Sequence, residues 1–232
     1  LEAAQAELRS DLEAAALVQR NLLPNPDKQP FLDAGYRFDW LYTPAAYLGG
    51  DTCNFLRLDA THIGFYIIDV AGHGIPAALK TVMLSQTLSA ANGQAGLLKD
   101  DISYAPHCYI RPPAEALYEL NNASQEEESA MHYFTMIYGV IDVKTGRITL
   151  SQAGHPAAIV LRSNQTMETI DVGGVPVGMI DGMTYDEYES TLEVGERLIL
   201  YTDGIIECEN ADGEQFGFLR LQNLLHQYGA KP

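Results

Sequence analysis

Residues 62–70, with the sequence HIGFYIIDV, restrict the possible folds of this chain more than any other segment. They are mostly β-branched or aromatic, which predicts a strand buried on both faces. Such a strand needs further layers of secondary structure above and below it. It ends in Asp69 and Val70, and a glycine turn, Gly72-His73-Gly74, follows directly.

Many short strands and few helices are predicted in the rest of the chain, without regular β-α alternation. Helices are predicted at residues 1–23, 75–91, 114–122 and 218–228. Strands are predicted at residues 35–42, 62–70, 134–143, 147–152, 157–162, 166–171 and 197–202, with a loop at 92–113. This pattern predicts a layered α+β domain.

The charge of the chain excludes some functions. With 232 residues, of which 47% are hydrophobic, it can form a sizeable core, but its formal net charge is −17. Such a surface is repelled by nucleic acids and by anionic membranes. Three widely spaced cysteines are typical of reduced thiols. We therefore expect a cytoplasmic protein that binds neither nucleic acid nor membrane.

Acidic side chains are concentrated between residues 163 and 215, where 13 acidic residues accompany one basic residue, Arg197. One interpretation is a solvated acidic surface. The other is that some of these carboxylates bind cations.

Three aspartates lie in glycine turns. Asp51 follows a glycine pair, and Asp69 and Asp203 lie at the ends of apolar strands. A carboxylate in such a position is costly to desolvate unless it is paired or binds a metal ion. Its hard oxygens suit Mg²⁺, Mn²⁺ or Ca²⁺ better than zinc. Aspartates also cap turns, so the pattern leaves both metal binding and capping open.

Six motifs occur in order along the chain: GGD at 49–51, DVAGHGIPAA at 69–78, FTM at 134–136, AGHP at 153–156, GVPVG at 174–178 and YTDG at 201–204. Together they resemble the PPM metal-dependent Ser/Thr phosphatases (protein phosphatase type 2C), and more narrowly their bacterial RsbU/SpoIIE branch. The resemblance extends from about residue 15 to the C-terminus.

The resemblance implies a four-layer αββα sandwich, in which helices flank two antiparallel sheets, and two divalent metal ions, Mn²⁺ or Mg²⁺. Carried over residue by residue, it makes Asp51, Asp69 and Asp203 metal ligands. Asp69 would bridge the ions, and the Val70 carbonyl would be a backbone ligand. Two such ions can activate a bridging water and clamp the phosphoryl oxygens.

The two motif histidines have different expected roles. His73 would either protonate the leaving seryl or threonyl oxygen, or orient Asp69 and the start of the following helix. His155 is more typical of a structural residue that holds backbone carbonyls. Thr135 and Thr202 are typical of supporting or packing groups.

Two departures from the family pattern affect the expected site. Many relatives carry a second acid three residues after GGD, where this chain has Asn54. Family members usually close with a strand that bears an Asp-Asp-x-Thr motif, which the sequence does not contain. We therefore expect residues 25–232 to form a phosphatase domain without that closing strand, and residues 1–24 to form a linker or regulatory helix.

The resemblance implies a phosphoprotein phosphatase in bacterial stress-response or two-component signalling. Its substrate would be a phosphorylated anti-sigma-factor antagonist, which is a STAS-domain protein. Residues 1–23 would contact an upstream regulatory domain, such as a response-regulator receiver, or a second copy of the chain in a homodimer. Packing on their own domain is the third possibility. The alternative is a catalytically weak module that keeps the phosphatase fold and sequesters a partner protein.

Overall fold

The computed structural model describes residues 2–25, 29, 31–89, 96–101, 108–125 and 133–229. The α-helices in these residues are α1 (Glu2–Arg20), α2 (Ile75–Thr87), α3 (Pro113–Gln125), α4 (Asp203–Ile206) and α5 (Phe218–Tyr228). The strands are β1 (Asp51–Arg57), β2 (His62–Val70), β3 (Lys99–Asp101), β4 (Cys108–Ile110), β5 (Phe134–Asp142), β6 (Arg147–Ala153), β7 (Ala158–Leu161), β8 (Met167–Ile170), β9 (Glu187–Thr191) and β10 (Arg197–Ile199).

The strands form antiparallel sheets. The largest sheet has five strands in the order β1-β2-β5-β6-β9, and a second sheet has three in the order β10-β7-β8. A separate ribbon pairs β3 with β4. Every pairing between named strands is antiparallel.

Alternate residues of β2 explain how the layers are held together. Tyr66 and Ile68 face a hydrophobic cluster shared with α2 and α3. Ile63 and Phe65 face a second cluster, which is shared with β7 and β8 of the smaller sheet. The outer face of the smaller sheet packs on α5, for example through Leu221. The order is therefore helices, sheet, sheet, helix, which confirms the expected αββα sandwich.

The structure corrects several predicted elements. Residues 35–42 form no strand, because their aromatic side chains pack on the core without a ladder partner; Phe38 stacks on Phe55 with ring centroids 4.3 Å apart. Strands β1 and β9 were not predicted; both lie at sheet edges and carry polar residues. The predicted loop at 92–113 contains β3 and β4. The predicted helix at 75–91 ends at Thr87, and residues 90 and 91 lie outside the described residues.

Helix α1 confirms the predicted N-terminal helix, with residue 1 outside the described residues. Most of its side chains are exposed, including the apolar Leu8, Leu17 and Val18. Gln19 is the exception, with 5% of its surface exposed. Within the described ranges, no helix is both long enough and apolar enough to cross a bilayer. The two cysteines whose side chains are described there, Cys53 and Cys208, are free thiols.

We predict that Gly139→Ala destabilises the sandwich. Gly139 lies opposite Phe65 in the β2–β5 ladder, and a Cβ at position 139 would overlap the Phe65 ring. Overpacking of this kind should lower the free energy of unfolding by about 1–3 kcal/mol. Chemical denaturation measures the change.

Gly204→Ala is the matched control, because a Cβ at Gly204 meets nothing nearer than 4.0 Å. It should unfold like the parent protein. In a Phe65→Leu background the cost of Gly139→Ala should shrink, since the ring is gone. An equal cost in both backgrounds would contradict this explanation.

Candidate active site

The structure brings the three predicted aspartates together. Asp51 begins β1 and lies directly opposite Asp69, near the end of β2, in the antiparallel ladder. Asp203 begins α4, shortly after β10. The charges of Asp51 and Asp203 both act on the Asp69 carboxyl, so the three groups lie close together. The Thr202 hydroxyl donates a hydrogen bond of 2.8 Å to Asp51 Oδ2, so Thr202 orients that carboxylate.

Asp51 and Asp203 oppose the ionisation of Asp69. Burial, together with the charges of Asp51 and Asp203, raises the pKa of Asp69 from 3.8 to about 8. In the ion pairs seen among the described residues, none of the three aspartates has a basic partner. The cluster therefore has an excess of negative charge that a proton or a bound cation would offset.

Gly50 leaves space beside the predicted backbone ligand. Its carbonyl accepts a hydrogen bond of 3.1 Å from the Val70 amide. A Cβ at position 50 would lie only 2.7 Å from the Val70 carbonyl oxygen. Glycine at this position therefore leaves the Val70 oxygen uncovered by a side chain.

These groups fit hard divalent cations in their chemistry. Carboxylate and carbonyl oxygens are the usual ligands of Mg²⁺ and Mn²⁺. Across the described ranges, however, no three His, Cys, Asp or Glu side chains are already arranged to enclose a metal ion. The assignment of Asp51, Asp69, Val70 and Asp203 as ligands therefore stays a prediction.

His73 is exposed on the turn between β2 and α2. Its ring makes no hydrogen bond or ion pair with the residues that the structure describes. The next residue, Gly74, has a φ of 76°, which suits glycine and sets the direction in which α2 begins. The catalytic and the orienting role of His73 both stay open.

His155, by contrast, is only 3% exposed. Its Nδ1 lies 2.8 Å from the Thr135 hydroxyl, and its backbone carbonyl accepts a hydrogen bond from the Gln152 side chain. Burial lowers the pKa of His155 to about 4, so the ring is neutral at pH 7. Thr135 is the ladder neighbour of Asp69 on β5. These contacts are those of a structural residue beside the carboxylates.

The side chain of Asn54 makes a local hydrogen bond with the next residue. Its side-chain oxygen accepts a hydrogen bond of 2.8 Å from the Phe55 amide, and its ladder partner is Tyr66. It does not take part in the interactions that shift the pKa of Asp69.

A cavity of about 470 Å³ opens beside the carboxylates, and Asp203 lines it. Its lining also includes His155, Pro156, Asp171, Tyr201, Ile206 and Phe218. The sequence patterns did not identify Asp171 or Phe218 as site residues. A weak signal existed for Asp171, since it ends a predicted strand as Asp69 and Asp203 do.

Gln19 is a further residue that the sequence patterns missed. Its side-chain nitrogen donates to the Gly49 carbonyl at 2.7 Å and to the Thr81 hydroxyl at 3.0 Å. Its oxygen accepts from the Tyr42 hydroxyl at 3.1 Å and the Gly49 amide at 3.2 Å. Gln19 therefore connects the end of α1 to the turn that precedes Asp51. The only local signal was that Gln19 directly follows the apolar residues Leu17 and Val18.

Comparison with known proteins agrees with this geometry. Over 199 residues the chain is 30% identical to phosphoserine phosphatase RsbP of Bacillus subtilis, covering 86% of this chain and 46% of RsbP. It is 28% identical over 211 residues to phosphoserine phosphatase RsbU of the same organism, covering 90% and 57%. The chain thus spans about half the length of these curated relatives.

The solved SiaA-PP2C domain of Pseudomonas aeruginosa has the same fold, with a TM-score of 0.79 and 24% identity over 100% of this chain and 87% of that one. The sequence model of the family described as Stage II sporulation protein E (SpoIIE) matches residues 59–232, a range that contains Asp69, Val70 and Asp203. The predicted RsbU/SpoIIE membership is therefore confirmed, and the chain belongs to the SpoIIE family of PP2C-like phosphatases.

Proposed function

We propose that this chain is a metal-dependent phosphatase domain that hydrolyses phosphoserine or phosphothreonine on a signalling protein. The observation that supports this most directly is the meeting of Asp51, Asp69 and Asp203 beside an open cavity. Two relatives, RsbP and RsbU, are phosphoserine phosphatases, and this similarity supports the same function.

Asp51, Asp69, Asp203 and the Val70 carbonyl would hold two divalent ions, Mn²⁺ or Mg²⁺. Bound there, the ions would supply positive charge for the phosphoryl oxygens and a more acidic water. Two features of the protein favour the binding of these ions. Thr202 orients the Asp51 carboxylate, and the lack of a side chain at Gly50 keeps the Val70 oxygen accessible.

His73 is the proposed proton donor to the leaving seryl or threonyl oxygen. Its exposure on the turn that follows β2 leaves its ring free to approach a bound substrate. A donor is useful here because an alkoxide is a poor leaving group unless it is protonated. The orienting role remains the competing proposal for this residue.

The proposed substrate is a phosphorylated anti-sigma-factor antagonist with a STAS domain. Helix α1 would contact an upstream regulatory domain, such as a receiver, or pair with a second copy. The exposed Leu8, Leu17 and Val18 support a partner for this helix. The lack of a ready-made metal cage in the described residues favours, as a second candidate, a catalytically weak module that holds such a partner.

We predict Mn²⁺-dependent hydrolysis of a phosphoserine STAS protein and of p-nitrophenyl phosphate. Asp69→Asn should lower both rates by more than the roughly 100-fold loss typical of residues that only support a metal ligand. Circular dichroism should show an intact fold. Asp39→Asn, at an exposed surface ion pair, is the matched control. Wild-type rates from Asp69→Asn would refute the ligand assignment, and an inactive parent protein would favour the binding module.

We also predict a pH-dependent stabilisation by metal. Without metal, folded Asp69 keeps its proton up to about pH 8, whereas the unfolded group loses it near 3.8. The contribution of Asp69 to stability is therefore complete below pH 4 and is lost as the pH rises to about 8. The melting temperature in chelator should fall across this range.

Mn²⁺ should reverse that fall, with the largest effect near pH 8, because a cation replaces the lost proton. Asp69→Asn in chelator should show a smaller fall, since it cannot lose a proton. Equal pH profiles for the parent protein and Asp69→Asn, measured by differential scanning fluorimetry, would contradict the assignment.

For His73 we predict a loss that depends on the leaving group. His73→Ala should slow phosphoserine hydrolysis by about 100-fold or more, the usual contribution of general acid catalysis. p-Nitrophenyl phosphate should be affected much less, because p-nitrophenolate leaves without a proton. His226→Ala, at an exposed histidine of α5, should change neither rate. Equal losses with both substrates would favour the orienting role.

A further inference from the structure

The cavity beside Asp203 has an apolar wall. The rings of Tyr201 and Phe218 lie nearly parallel, with centroids 6.4 Å apart, and Ile206 and Pro156 add further apolar surface. Its volume of about 470 Å³ is larger than a phosphoryl group needs. The wall therefore suits the hydrocarbon part of a long side chain.

The polar groups of the cavity carry negative charge or none. Asp171 is exposed at the lining of the cavity, which it shares with Tyr201 and Phe218. His155 is neutral at pH 7 because burial lowers its pKa to about 4. No lysine or arginine is found in the described lining. A positively charged tip would therefore be attracted to Asp171, and no basic side chain in the described lining would repel it.

The cavity is also within reach of the proposed reaction site. Asp203 belongs to the carboxylate cluster and to the cavity lining. An extended peptide advances about 3.3–3.6 Å per residue. A substrate with its phosphoserine at the carboxylates can therefore place a side chain one or two residues away in the cavity.

We infer that this cavity is a specificity site for an arginine or lysine side chain one or two residues from the phosphoserine of the substrate. This inference rests on the proposed phosphatase function. The stem of the basic side chain packs on Phe218 and Ile206, and its charged end lies beside Asp171. The aromatic rings add a cation–π attraction.

The test compares three phosphoserine peptides that differ in one flanking residue: arginine, methionine of similar length, or glutamate. With the parent protein, kcat/KM should be roughly tenfold higher for arginine than for methionine, from one exposed ion pair and one cation–π contact. The glutamate peptide should be the poorest substrate. The preference should decrease with added salt.

Asp171→Asn should reduce the arginine preference to about twofold, the fraction attributable to the remaining aromatic contact. Turnover of p-nitrophenyl phosphate, which has no flanking residue, should be unchanged. Asp181→Asn is the matched control, because Asp181 is exposed in the same acidic segment but does not line the cavity. It should keep the full preference. An unchanged preference in Asp171→Asn, or an equal loss in both variants, would overturn the inference.

A binding measurement separates this inference from the proposed function. Fluorescein-labelled, unphosphorylated arginine and glutamate peptides are titrated with metal-free protein, and anisotropy is recorded. The arginine peptide should bind more tightly, and Asp171→Asn should remove most of the difference. This result together with no turnover of any substrate would refute the phosphatase and retain the cavity assignment. Equal binding of both peptides would refute the cavity assignment whatever the turnover.

Discussion

Two carboxylates, Asp51 and Asp69, lie directly opposite each other in one strand pair, and the rest of the structure has to tolerate their repulsion. Once Asp69 loses its proton the two groups carry like charges, which destabilise a sheet in such a position. Here β2 offsets the cost because side chains on both of its faces are buried, Tyr66 and Ile68 on one and Ile63 and Phe65 on the other. Strand β2, which carries Asp69, is thus anchored in both hydrophobic clusters, and this anchoring holds the acidic site in place.

The elements predicted correctly are those whose burial is continuous or strongly periodic. Strand β2 and helix α5 have the bounds expected from the sequence, because an uninterrupted apolar run and an amphipathic helix are local signals. Strands β1 and β9 lie at sheet edges with half-buried, partly polar residues, so periodicity alone did not reveal them. Residues 35–42 have the composition of a strand, but no strand in the described part of the chain pairs with them.

The residues of the candidate site likewise include some that the sequence predicted and some that it did not. The aspartates could be recognised because each lies within three residues of a glycine in its own motif. Their supports could not, since the Thr202–Asp51 hydrogen bond joins residues 151 positions apart and the Gln19–Gly49 bonds join residues 30 apart. Asp171 lines the cavity together with Tyr201 and Phe218, which follow it in the chain only after two further strands, β9 and β10. Contacts between residues so far apart in the sequence form only in the folded structure, so local patterns do not predict them.

Helix α1 is attached to the domain chiefly at one end, and this has a mechanical consequence. Its 19 residues extend about 28 Å, with Gln19 in the last turn. A sideways force on the exposed end therefore produces a torque at Gln19. Since that side chain bonds both the amide and the carbonyl of Gly49, the torque is transmitted to the turn that carries Asp51. The helix cannot tilt far without either breaking these bonds or displacing a carboxylate of the cluster.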